Sequence, residues 1–163
     1  MKIKALHQYN QSVDRVFSLF HDPDFMKEKY AGIGARNIQV VECAGSEGSY
    51  RIKVQREVPA DVPALLKKFL KPWNTLVQCE QWEGQAGGPY RCKLGIQISG
   101  APVSIGGEME LRTQGDGCVN EVRLDVKCGI PLVGGKLADF VGADAEKAVQ
   151  AEYEFIRGHL DKS

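Results

Sequence analysis

The sequence is short of the features that mark most enzyme classes. It holds no CxxC pair, no HExxH and no other metal-ligand spacing among His7, His21 and His159, and none of the ordered nucleophile, base and acid arrangements of hydrolases. A resident catalytic metal, a zinc fold and redox chemistry are therefore not expected. There is no run of about 18 apolar residues that would span a membrane, and Met1 to Asn10 alternates polar and apolar residues without the apolar centre of a signal peptide. Neither charge is in excess: Lys plus Arg and Asp plus Glu each number 21, so no long-range field for collecting nucleic acid is expected. A cytoplasmic protein with neither nucleic acid nor a cofactor as partner is the expectation. Five cysteines, an odd number, all fall in strand-like stretches, where a free thiol packs as a small apolar group.

What is present is a regular order of elements. With 163 residues, 43% of them hydrophobic, the chain is long enough for a real core and short enough for one domain, 1–163. Lys2–Asn10 alternates as a strand. Ser12 then offers an N-cap to a helix whose Val13, Val16, Phe17 and Phe20 share a face, and Asp22-Pro23 opens a second short helix that Gly32 or Gly34 ends. Six more strands follow, near Asn37–Cys43, Ser49–Val58, Trp73–Glu83, Tyr90–Ser99, Val103–Thr113 and Cys118–Cys128, joined mostly by short Gly-rich turns that require antiparallel neighbours. From Val133 to Leu160 there is no proline, and apolar residues recur at steps of three and four. This last helix, ~42 Å long at 1.5 Å per residue, has one wet and one dry side and needs an apolar surface to lie on.

The strands supply that surface. Cys92, Leu94, Ile96 and Ile98 oppose polar neighbours, as do Val103, Ile105, Met109 and Leu111, and then Val122, Leu124 and Val126, so one sheet face is apolar and the other solvated. A single layer of helix is available to cover it.

Particular stretches carry a likeness to a known family. His7-Gln8-Tyr9 followed by Ser12 to Phe17, Asp22-Pro23-Asp24-Phe25, the Val77–Trp82 strand, and Ile130-Pro131-Leu132-Val133-Gly134-Gly135-Lys136 together resemble the START-like superfamily, also called SRPBCC or birch-pollen-allergen-like, and within it a bacterial branch recorded as a domain of unknown function. The resemblance spans essentially the whole chain. It implies an α+β helix-grip fold in which a curved antiparallel sheet of about seven strands wraps a long C-terminal helix, with two short helices after strand one. It also implies a deep cavity between sheet and helix, used by relatives for lipids, sterols, polyketides or quinone-like molecules. Some relatives are cyclases or aromatases and others are carriers.

Candidate residues follow from phase. His7, Tyr9, Tyr50 and Asn120 are the polar groups expected to orient a ligand, among Ile96, Ile105, Met109 and Leu124 of the sheet and Leu137, Phe140, Val141 and Asp144 of the helix. His7, Tyr9 and Asp144 are the candidates for proton transfer; the alternatives are a core histidine satisfied by hydrogen bonds and an aspartate left wet by a local bend at Gly142 or by surface exposure. Gly129 to Leu137 nearly reads as a phosphate loop, but Gly135 intervenes before Lys136 and Leu137 replaces the hydroxyl, so it reads as a strand-to-helix entry. The stretch Val62–Trp73 reads as a short basic amphipathic helix: Leu66, Phe69, Leu70 and Trp73 would form a lid, and Lys67, Lys68 and Lys71 would touch an anionic membrane or face water. The expected function is noncatalytic binding of a small hydrophobic or amphipathic molecule. Alternatives are a cofactor-free cyclase, dehydratase or hydrolase using His7, and a protein-interaction module with a collapsed cavity.

Overall fold

The first strand, β1 (Lys2–Tyr9), pairs with the last, β7 (Gly117–Cys128), in an antiparallel register that sets His7 opposite Asn120 and Tyr9 opposite Cys118. Between them the chain adds α1 (Val13–Phe20), α2 (Pro23–Gly32), β2 (Arg36–Ser46), β3 (Ser49–Pro59), β4 (Trp73–Glu83), β5 (Tyr90–Ile98) and β6 (Val103–Gln114), and it closes with α3 (Gly134–Asp161). This computed structural model describes residues 1–162. The seven strands form one antiparallel sheet in the order β1-β7-β6-β5-β4-β3-β2. Every pair except β1 and β7 joins sequence neighbours, as the short connections require. On edge strand β2 the register against β3 shifts between Arg36 and Gln39 and again between Val40 and Glu42.

Local chemistry places the two short helices. The Ser12 hydroxyl accepts the Arg15 amide at 3.1 Å, and Asp22 Oδ1 accepts the Asp24 and Phe25 amides at 3.0 and 3.2 Å, so both helices start on side-chain caps. Past the end of α2, Gly34 takes a φ of +100°, a conformation that favours glycine and turns the chain into β2. The Phe17 ring stacks on Tyr90 with centroids 3.8 Å apart, and the Tyr90 hydroxyl donates to Asp14 Oδ1 at 2.7 Å, which pins α1 to β5.

The helix α3 is continuous through Gly142, so this glycine marks no bend; the Met1 side chain occupies the space a Cβ would take. Its C-terminal half is tied down by Tyr153, whose hydroxyl donates to the Gln8 carbonyl at 2.8 Å, and by Glu152, paired with Lys29 at 3.0 Å. Leu137, Ala138 and Val141 bury its first half and Ile156 and Leu160 its last turns. Between these anchors Asp144 and Ala148 remain exposed and Ala145 half-buried. The helix is thus held at both ends, while its middle reaches the core only through the half-buried Ala145 and Val149.

Two sequence expectations need correction. The stretch between β3 and β4 is not an amphipathic helix: it forms one 3₁₀ turn, Ala64–Leu66, because Pro63 and Pro72 bracket too few residues for a stable helix and the Leu66 amide bonds back to the Pro63 carbonyl at 2.9 Å. Cys79 is exposed rather than packed, because it lies on the outer phase of β4 next to inward-facing Gln78, while Cys92 and Cys118 are buried and all five thiols are free.

Candidate functional site

The gap under the middle of α3 is a cavity of two chambers. The inner one, of about 140 Å³, lies over the sheet and is lined by His7, Tyr9, Ile96, Ile105, Met109, Asn120 and Leu124 together with Met26, Tyr30 and Trp82. The outer one, of about 690 Å³, opens between α3 and the ends of β3 and β4 and is lined by Phe140, Val141 and Asp144, by Ile33 and Ala35, and by Pro59 to Asp61. Arg56, Leu76, Ile105, Ala145, Ala148 and Glu152 line both, so the chambers adjoin through a shared wall.

The inner chamber has an apolar lining and a polar floor. His7 is 6% exposed; its ring stacks on Tyr153 with centroids 4.2 Å apart, and its Nε2 has no hydrogen-bond partner. Burial lowers its pKa from the ordinary histidine value, and the Glu152 carboxylate, which favours the protonated ring, partly offsets this. Across the β1–β7 pair, Asn120 turns its Nδ2 toward Met109 Sδ at 3.7 Å and leaves Oδ1 unpartnered. Tyr9 is buried against the edge of the Tyr153 ring, and burial foremost drives its pKa up, so the phenol stays protonated.

A chain of polar side chains crosses β3 and β4. Arg56 Nη2 donates to Gln78 Oε1 at 3.0 Å, Gln78 Nε2 donates to Glu80 Oε2 at 2.6 Å, and Trp82 Nε1 donates to Glu80 Oε1 at 2.7 Å. The Arg56 guanidinium lies over the Tyr30 ring at 4.1 Å, and its Nη1 has no partner. The three buried side-chain atoms without a partner among the described residues, on His7, Arg56 and Asn120, therefore all belong to side chains lining one chamber.

Two predicted ligand residues lie outside both chambers. Tyr50 sits in an aromatic cluster, 5.1 Å from the Phe17 ring and 5.1 Å from His21, because α1 covers that end of the sheet. Leu137 is fully buried where α3 first meets the sheet. Of the expected lid, Leu70 lines the outer chamber, Leu66 is core, Phe69 packs on the core, and Trp73 is held under the Arg36 guanidinium at 3.7 Å. Lys67, Lys68 and Lys71 are exposed. Asp144 is exposed where it lines the outer chamber, and partial desolvation there raises its carboxyl pKa while Lys147 opposes the rise. It does not share a chamber with His7. Among the described residues no group of three or more His, Cys, Asp or Glu side chains is arranged to hold a metal ion.

Lys29, Arg56, Gln78, Glu80 and Glu152 were not anticipated. A signal existed in β3, where Ile52, Val54, Arg56 and Val58 share a phase, so that a cation follows two apolar residues on the inward face.

A family model described as a protein of unknown function, DUF2505, matches residues 4–160. The chain belongs to the DUF2505 family. No curated protein matches this DUF2505 chain in sequence. Among solved structures it is similar to Ara h 8.0201, with a TM-score of 0.66 at 13% identity over 100% of this chain and 99% of that one. It is also similar to TTHA0849 from Thermus thermophilus, with a TM-score of 0.65 at 16% identity over 97% of this chain and 95% of that one. A STAR-related lipid transfer protein from Xanthomonas axonopodis gives a TM-score of 0.60 at 11% identity, covering 96% of this chain and 85% of that one. At these identities the likeness establishes the fold of this DUF2505 protein, the helix-grip fold of START-superfamily and birch-pollen-allergen-like proteins.

Proposed function

We propose that this protein binds a small hydrophobic or amphipathic molecule, of the lipid, sterol, polyketide or quinone class, in the double chamber under α3, and carries it without chemical change. The observation that supports this reading most is the space left under α3. The middle of the helix reaches the core only through the half-buried Ala145 and Val149, and the chambers there are walled mainly by aliphatic and aromatic side chains. Covering roughly 300 Å² of apolar ligand surface there would contribute ~7 kcal/mol before ordering costs, at ~25 cal/mol per Å². A relative in fold is named as a lipid transfer protein, which agrees with the reading. The five free thiols suit a reducing compartment, the cytoplasm. No helix among the described residues is long and apolar enough to cross a membrane.

Carriage is favoured over catalysis by the surroundings of His7. Among the described residues no hydrogen bond joins its ring to an acid or phenol that would fix its tautomer, and Asp144 belongs to the other chamber. A collapsed interaction module is disfavoured by the chambers themselves.

The test is Nile red, a neutral apolar dye whose emission brightens in a dry site. Wild-type protein should bind it saturably at one site. Ala148→Trp, which fills the shared wall from an exposed helical position, should weaken binding at least about tenfold with an unchanged melting temperature. No saturable binding, or equal binding by the variant, would sink the reading. Native mass spectrometry of freshly purified protein would then show the class of any co-purifying molecule.

A further inference from the structure

We propose that the ligand is an amphipathic carboxylic acid whose carboxylate pairs with Arg56 where the two chambers meet; this rests on the binding reading above and adds the charge and position of the ligand's polar end. Arg56 is 6% exposed and lines both chambers. A guanidinium stays charged at any relevant pH, so burial cannot be relieved by losing a proton. Buried cations are ordinarily paired with carboxylates, and this one is not: no carboxylate of the described residues lies within 4.0 Å of it. Its nitrogen Nη2 donates to the neutral Gln78 amide oxygen, its face lies on the Tyr30 ring, and both N–H groups of Nη1 are left without an acceptor.

The acids in reach are already engaged. Glu152 is taken by Lys29 at 3.0 Å, and Glu80 accepts from both Gln78 and Trp82, with Gln78 standing between it and Arg56. The missing partner must therefore come from outside the chain, as an oxygen acceptor carried into the chamber. A carboxylate fits best, because it supplies one negative charge and a charge-assisted acceptor, whereas a phosphate dianion would meet twice the repulsion from Glu80 and Glu152 with one unpartnered guanidinium nitrogen to hold it. The body of the acid then lies against Leu76 and Ile105, which line both chambers as Arg56 does. The unpartnered polar atoms of His7 and Asn120 independently mark this chamber as one built for a partly polar guest.

The experiment compares oleic acid with methyl oleate as competitors for bound Nile red, in the wild type and in Arg56→Gln. Acid and ester share a chain and differ in charge. Oleic acid should displace the dye at about a ten- to hundredfold lower concentration than the ester, the preference should vanish in Arg56→Gln when each competitor is read against that variant's own dye affinity, and Arg56→Lys should keep a weakened preference. Equal displacement by acid and ester in the wild type overturns the proposal while the binding reading stands, and needs no variant to fold. A preference that survives in Arg56→Gln overturns it as well. If Nile red itself does not bind, the binding reading falls and the proposal falls with it.

Discussion

His7 and Tyr153 stack face to face, with ring planes within 4° of parallel, and the phenol hydroxyl donates to the carbonyl of Gln8, the residue next to His7. One tyrosine of α3 thus clamps both the ring and the backbone of β1 at the site where the strand faces the cavity. The clamp keeps the imidazole dry, and its folded pKa is lowered by burial.

The sign of the resulting pH effect is definite. Below the unfolded histidine value of about 6.5 the unfolded chain binds a proton that the folded chain does not, so stability is present above that pH and declines as pH falls toward the lowered folded value. Melting temperature should drop between about pH 7 and about pH 5, and His7→Gln should drop less over the same interval. Parallel curves for the two proteins would show that His7 does not contribute.

Phe140→Glu should weaken Nile red binding severalfold or more, because Phe140 lines the outer chamber from α3 and a carboxylate there would be desolvated by the dye. The residue is half-buried, so the melting temperature should shift by only a few degrees. Dye titration and a thermal melt on the same preparation separate the two effects.

Leu137→Ala is the opposite case. The side chain is fully buried yet touches neither chamber, so the variant should lose about 2–5 kcal/mol of stability while dye affinity at a temperature where it is folded stays within about twofold of wild type. Denaturant melts measure the first and titration the second; a large affinity loss would mean that the chambers depend on the start of α3.

Membrane contact by the Val62–Trp73 stretch now rests on exposed charge rather than on a helix. Leu65 is 52% exposed beside Lys67 and Lys68, while the Asn74 side chain grips the Lys71 backbone, accepting from its amide at 3.0 Å and donating to its carbonyl at 2.6 Å. Anionic vesicles should retain the wild type weakly at low salt, and neutralising Lys67, Lys68 and Lys71 together should abolish retention, since each lysine offers ~1 kcal/mol near such a surface. Flotation in which wild type and triple variant both stay free would assign the stretch to closing the sheet's open end.

The strands were legible because alternation repeats at every step: each predicted strand is present to within three residues at either end, and α3 starts and stops within one residue of its predicted span. The Val62–Trp73 stretch misled because its leucines and lysines imitate helical spacing, whereas two prolines limit what the backbone can do. At the site, apolar phase located most of the lining from β1, β5, β6 and β7. Arg56 escaped because a charged residue on a strand is read as solvent-facing even where it shares the phase of Ile52 and Val54, and Gln78 and Glu80 escaped because only the pairing of β3 with β4, Val54 opposite Gln78 and Ile52 opposite Glu80, shows them on the inward face. Tyr50 has the inward phase too, but phase cannot say which inward residues α1 will cover.

The irregular pairing of β2 bears on what this molecule does when crowded with its own copies. The sheet is open, so its two outer strands could in principle recruit more chain. A newcomer approaching β2 would meet amide and carbonyl groups thrown out of step at two places, beside the charges of Arg36 and Glu42. On the opposite border, the Tyr153 hydroxyl already occupies a β1 carbonyl. Each border thus carries a feature that hinders the addition of a further strand, so a protein whose interior is left unfilled presents interrupted edges at its exterior.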